Sequence, residues 1–225
     1  MTKRKPQHPP LKLRGASFKS ARGTRTKPIE LKLQPGELVL LAGPAGSGKS
    51  EILRCVAGLS QPLSGEIFVQ GRKTDALHHD AWMEVRNELA YASESAPLVA
   101  NTNISTNLIL PLALRGMSQE AAREKVFAAL TRFSLENVAE LRPHQLSRDD
   151  HRKLLLVRAW LLPVTLLLLD EPPRDTDRQR GNRWRDALEE RRAEGCAILA
   201  TAADPSQWSS GVTRMVSVVD SGEPA

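Results

Sequence analysis

No apolar run in this sequence reaches the length needed to cross a bilayer, which excludes a helical membrane span within it. The longest candidate, Leu154 to Leu169, contains Arg158 and Pro163 and reads as buried soluble structure. The N-terminal stretch is basic and has no apolar h-region, so a secretory signal peptide is not expected. Cysteine is scarce. Cys55 and Cys196 lie in apolar surroundings with no metal or redox spacing, and they predict two reduced core thiols in a cytosolic chain. Internal repeats and low-complexity linkers are missing as well.

What is present suits one large domain, or a domain with a subdomain: 225 residues, of which 40% are apolar. That apolar share is enough for a core and argues against global disorder. The net charge is +6, and much of the excess lies at the start, among Lys3, Arg4, Lys5, Lys12 and Arg14. Pro6, Pro9 and Pro10 disfavour regular structure there, so residues 1–10 are expected to form a solvated, mobile basic tail. Contact with anionic lipid or nucleic acid is the alternative use of such charge.

Alternation of strand type marks Leu11 to Phe18 and Ile29 to Leu33 as parts of a small β-layer. Glu37 to Ala42 reads as a buried strand running into a glycine-rich loop. Ser50 to Ala57 then has helical spacing, with Ile52, Leu53 and Val56 on one face. Residues from about 95 to 150 look mostly helical, and Ser118 can cap one of those helices. A helix is expected at Leu154 to Leu161, a buried strand at Thr165 to Leu169, an amphipathic helix at Arg178 to Arg192, and late strands at Cys196 to Ala200 and Val212 to Val219. Strands alternating with helices imply an α/β fold with a parallel sheet.

Gly43-Pro44-Ala45-Gly46-Ser47-Gly48-Lys49-Ser50 fits the P-loop pattern at every fixed position, with a strand before it and a helix after it. The glycines let the backbone wrap so that N–H groups face phosphates, and the helix N-terminus adds positive potential. Lys49 is expected to reach the β- and γ-phosphates and Ser50 to ligate Mg²⁺. Further on, Thr165-Leu166-Leu167-Leu168-Leu169-Asp170-Glu171 is a hydrophobic strand ending in two acids, the Walker B arrangement. Asp170 is expected to hold Mg²⁺ through water and Glu171 to polarise the attacking water.

With these segments in place, the sequence resembles the ATP-binding subunits of ABC transporters over roughly residues 11 to 205. LKLRGASF, IELKLQPGELVLLAGPAGSGKS, EILRCVAGLSQPLSGEIFVQG, NLILPLALRG, LRPHQLS and LLLLDEP carry the likeness. The stretch Asn107 to Gly116 looks more like the branch that handles lipids and lipoproteins at bacterial envelopes. The resemblance implies a P-loop NTPase fold of ABC type, made of a parallel core sheet, an antiparallel β-layer and a helical subdomain. It also implies ATP and Mg²⁺ as cofactors, a transmembrane permease as partner, and a second ATP-binding subunit across a dimer.

Departures from the family pattern carry more information than the matches. The signature LSGGQ is here Leu146-Ser147-Arg148-Asp149-Asp150, where Ser147 would meet the partner subunit's nucleotide. Asp149 replaces a glycine, and a carboxylate ~4 Å from a phosphate charge costs on the order of 4 kcal/mol at an effective dielectric of about 20. Arg148 can offset part of this. The glutamine that senses Mg²⁺ aligns with Glu94, and no glutamine lies between Gln70 and Gln119; a glutamate can still ligate the ion. The switch histidine aligns with Ala202, and no histidine follows His151. Glu51 stands beside the α-phosphate position, where a carboxylate competes with the ligand. Asp177 alone keeps the D-loop type. Phe18 is the candidate for stacking on adenine, or else a core residue.

His78-His79-Asp80 reads as a solvated segment rather than a metal site, and the four tryptophans as packing residues. The expected function is the ATP-binding, slowly ATP-hydrolysing subunit of a membrane ABC transporter, with lipid as a possible cargo class. It would sit on the cytoplasmic face of the membrane through its permease. The alternatives are a soluble ABC protein acting on nucleic acid or ribosomes, and a non-catalytic partner in a heterodimer. A single cassette without a coiled-coil insertion disfavours nucleic acid as a partner.

Overall fold

The protein is described by a computed structural model over residues 8–172, 183–208 and 211–225. The first part of the chain runs β1 (Leu11–Ser17), β2 (Thr24–Thr26), β3 (Ile29–Leu33), β4 (Leu38–Ala42), α1 (Lys49–Val56), β5 (Ser64–Val69), β6 (Arg72–Lys73), α2 (His79–Asn87) and β7 (Leu89–Ala92). Then follow α3 (Ile104–Ala113), α4 (Gln119–Arg132), α5 (Arg148–Trp160), β8 (Leu166–Leu169), α6 (Arg183–Ala193), β9 (Ala197–Ala202), β10 (Arg214–Ser217) and β11 (Asp220–Pro224).

The composition of β4, β8 and β9 decides the architecture. Successive side chains of a strand face opposite sides, and on these three strands both sides are apolar and buried. Such strands belong in the middle of a parallel sheet covered on both faces. They lie in the order β10-β4-β9-β8-β7, every neighbour parallel. Leu38, Leu40, Leu167, Leu169, Ile198 and Ala200 face one core, closed by the apolar sides of α3 to α6. Val39, Leu41, Leu166, Leu168 and Leu199 face the other, which holds Ile52, Leu53 and Val56 of α1 and the antiparallel layer β3-β1-β5-β6. The pleat of one sheet therefore builds two cores.

Several expected elements move at their ends. Helix α5 begins at Arg148 rather than Leu154, because Ser147 caps it, its Oγ accepting from Asp150 N at 3.1 Å. Ser118 caps α4 in the same way, accepting from Ala121 N. The first part of the expected helix Arg178 to Arg192 lies outside the described residues, and α6 continues to Ala193. The tryptophans pack: Phe133 stacks on Trp184 at 4.0 Å between ring centroids and meets Trp160 edge-on at 5.4 Å. Both thiols are buried, and burial pushes each up to about 11. At the start of the described chain Pro10 is buried, and its carbonyl accepts from Gln70 N at 3.1 Å.

Candidate functional site

The glycine-rich loop leaves the C-terminal end of β4, where the parallel strands open a crevice. Gly46 and Gly48 take φ of 79° and 98°, a left-handed turn that favours glycine. Gly43 is required for space: a Cβ there would lie 2.6 Å from the Val218 carbonyl oxygen and 2.9 Å from Ser47 Oγ. Gly48 N-caps α1, whose first N–H groups have no partner inside the helix. Lys49 is only 4% exposed, and its Nζ donates to the carbonyls of Gly43 at 2.8 Å and Pro44 at 2.9 Å. Burial lowers its pKa, while the charges of Glu171 and Asp170 oppose that shift. Ser47 Oγ is buried without a hydrogen-bond partner. A glycine-rich turn at a helix N-terminus, a curled lysine and an orphaned hydroxyl fit a bound polyphosphate.

The second half of the site arrives at the end of β8. Ser50 Oγ donates to Asp170 Oδ1 at 2.8 Å, joining the P-loop helix to the acidic strand end. Thr201 Oγ1 donates to the same Oδ1 at 2.9 Å and accepts from Glu171 N at 2.8 Å. Tyr91 reaches Asp170 Oδ2 at 3.4 Å from β7, and burial first, with the nearby Asp170 charge, holds its hydroxyl protonated up to about 12. Glu171 is held at φ 44°, a left-handed backbone that a non-glycine residue keeps only where its surroundings enforce it. Ser50, Asp170 and Glu171, with Glu94, border a cavity of about 350 Å³. The oxygen donors of Ser50, Asp170 and Glu94 on one cavity suit a hard cation such as Mg²⁺.

Glu94 is bonded across that cavity to Arg152 Nη2 at 2.9 Å, which lowers its pKa below the ordinary carboxylate value. Glu51 turns back along α1 to Arg54, 3.4 Å away. Ser147 is exposed, yet its hydroxyl is engaged within its own chain: it caps α5 and donates to Asp150 Oδ2 at 2.6 Å. Asp149 is paired with Lys153 at 2.5 Å, so Lys153 rather than Arg148 balances it. Ala202 ends β9 with its methyl 6% exposed against the helical core. Phe18 is fully buried in the other core and takes the packing role, not the stacking one. Asp177 and the rest of the D-loop lie outside the described residues.

Thr201, Tyr91 and Arg152 join the site without having been singled out in the sequence. Thr201 left a signal: a hydroxyl in the apolar strand Ala197–Ala202 needs a buried partner. Arg152 left none, since its role depends on how α5 is placed against residues 93–95.

The comparisons with known proteins agree with this geometry. The family model described as ABC transporter matches residues 26–174. A macrolide export ATP-binding/permease protein of Pectobacterium atrosepticum is 30% identical over 199 residues, 86% of this chain and 31% of that protein. An ABC transporter ATP-binding protein of Bacillus subtilis is 30% identical over 152 residues, 67% of this chain and 66% of that one. The chain spans 27% to 31% of the length of the macrolide export relatives it matches. Among solved structures, a dimeric ATP-binding cassette in a post-hydrolysis state bound to ADP and Pi superposes with a TM-score of 0.82 at 24% identity. The match covers 95% of this chain and 96% of that one, and establishes the fold. The chain belongs to the ABC transporter family, as an ATP-binding domain of it.

Proposed function

We propose that this chain binds Mg-ATP on the loop Gly43–Ser50, hydrolyses it slowly, and drives a membrane permease. The observation that carries the reading is the bond between Ser50 and Asp170, residues far apart in sequence that meet at 2.8 Å beside the cradle. Backbone amides of the loop at Gly46 and Gly48 and of the first turn of α1 bind phosphate oxygens, and Lys49 leaves its two carbonyl partners for the β- and γ-phosphates. Ser50, Asp170 and Glu94 would hold Mg²⁺, which would supply charge neutralisation when bound. Glu171, fixed through its own N–H by Thr201, orients and polarises the attacking water. With Ala202 at the switch position, one γ-phosphate donor is missing, which is why hydrolysis is proposed to be slow.

The permease has a suitable place to dock. A second cavity, of about 200 Å³, is lined by Val99, Leu110, Pro111, Leu114 and Leu162 together with Arg158. No helix among the described residues is long and apolar enough to cross a membrane, so the span would come from elsewhere. The cargo proposed is lipid or another apolar molecule, on the likeness at Asn107 to Gly116 and the macrolide export relatives.

Titration of a fluorescent ATP analogue against wild type and Lys49→Ala tests the site. The variant should bind at least roughly tenfold more weakly, as expected for loss of a charged hydrogen-bond donor. Equal affinity would remove the P-loop from nucleotide binding.

A further inference from the structure

The cavity beside the P-loop carries a cation that phosphate binding by the loop does not use. Arg152, in the second turn of α5, bonds Glu94 at 2.9 Å, and both side chains line the cavity shared by Ser50, Asp170 and Glu171. Among the described residues that line it, Arg152 is the one cation, set against the three carboxylates of Glu94, Asp170 and Glu171. The hydrogen bond and charge of Glu94, then the more distant charge of Glu171, hold its guanidinium protonated. Ala202 offers only a methyl group at the end of β9.

A cavity with three carboxylates repels a triphosphate unless cations intervene. The guanidinium is a planar fork of donors matched to phosphate oxygens. Its present partner is weakly held, because an ion pair this exposed, 47% for Arg152 and 57% for Glu94, gains little in water. A divalent cation at Ser50 and Asp170 competes for the Glu94 carboxylate. Whenever Glu94 turns to that ion, Arg152 loses its partner inside the cavity that receives the terminal phosphate.

We propose that Arg152 is a γ-phosphate-binding residue of its own subunit's site, held aside by Glu94 until Mg-ATP enters and exchanges the partners. The carboxylate passes to the metal and the guanidinium to the terminal phosphate. This rests on the P-loop reading above, and it places a γ-phosphate donor in cis, on the helix that follows the altered signature.

The test is binding, not turnover. Fluorescent ATP and ADP analogues are titrated, with Mg²⁺ and with chelator, against wild type, Arg152→Gln, Glu94→Gln, the double variant and Lys49→Ala. Melting temperatures verify that the exposed substitutions leave the fold intact. Arg152→Gln should weaken Mg-ATP roughly tenfold, the loss expected for a hydrogen bond to a charged group, while Mg-ADP changes less than about twofold. Glu94→Gln should tighten ATP in chelator, because the guanidinium is then free, and the double variant should lose that gain. If Lys49→Ala weakens both nucleotides but Arg152→Gln leaves the ATP-to-ADP ratio unchanged, the role of Arg152 is overturned and the P-loop reading stands. If Lys49→Ala binds like wild type, the P-loop reading fails and this proposal with it.

Discussion

At the residue scale, Thr201 connects the two acids of the site. It is fully buried, and its single hydroxyl serves both a carboxylate oxygen of Asp170 and the backbone N–H of Glu171. One rotamer therefore sets where the Asp170 oxygen proposed to bind the metal lies and keeps Glu171 at its left-handed φ of 44°. Thr201→Val preserves shape and removes both bonds, leaving the part-buried Glu171 N–H without its acceptor, at a cost of about 1 kcal/mol. We expect kcat to fall at least ~10-fold and the Mg²⁺ requirement for ATP binding to rise, with metal-free ATP affinity unchanged. Thr201→Ser should restore most of both. A loss of metal-free affinity equal to the loss with Mg²⁺ would reduce Thr201 to a packing residue.

At the scale of elements, legibility follows how local the cause is. The P-loop, β4 and β8 could be read because period, glycine placement and the terminal acids are all written in contiguous residues. Helix α3 could not be delimited, since Pro111 lies inside it and argues for a break. Packing overrides that preference, for Ile104, Leu108 and Leu112 are fully buried in the helical core. Strands β2 and β11 pair across most of the chain, and so short a β2 gives too little alternation to detect. In the site, Lys49, Ser50 and Asp170 follow from motif chemistry, whereas the partners of Glu94 and Glu51 depend on where α5 and Arg54 place their guanidinium groups. The two sides of α3 lead to opposite expectations. Leu108→Ala should lower stability by about 2–5 kcal/mol in urea unfolding, as a buried leucine does. Leu114, 77% exposed, should leave unfolding unchanged when replaced by alanine, yet reduce recovery of the protein with membranes that contain its permease. Loss of stability in Leu114→Ala with unchanged membrane recovery would move the docking surface elsewhere.

At the scale of the whole molecule, the question is what the LSRDD end does in a dimer. In this chain Ser147 gives its hydroxyl to Asp150, and Asp149 and Asp150 fill the first turn of α5, where carboxylates favour the helix dipole. The segment thus stabilises its own helix and presents negative charge outward. A nucleotide on a second copy would meet those carboxylates, with only the Asp149 charge balanced, by Lys153. We therefore expect a homodimer closed on two ATP molecules to be disfavoured against a dimer with an unlike partner that carries a glycine signature. Light scattering in the Glu171→Gln background, where bound ATP should persist, checks this directly. Glu171→Gln alone should remain monomeric with Mg-ATP. Adding Asp149→Gly and Asp150→Gln removes the repulsion and frees Ser147, and should produce an ATP-dependent dimer. The same two changes weaken the start of α5, by roughly 0.3–1 kcal/mol for each lost acid, so melting is measured alongside. Dimerisation of Glu171→Gln without the signature changes would show that the two aspartates do not keep like copies apart.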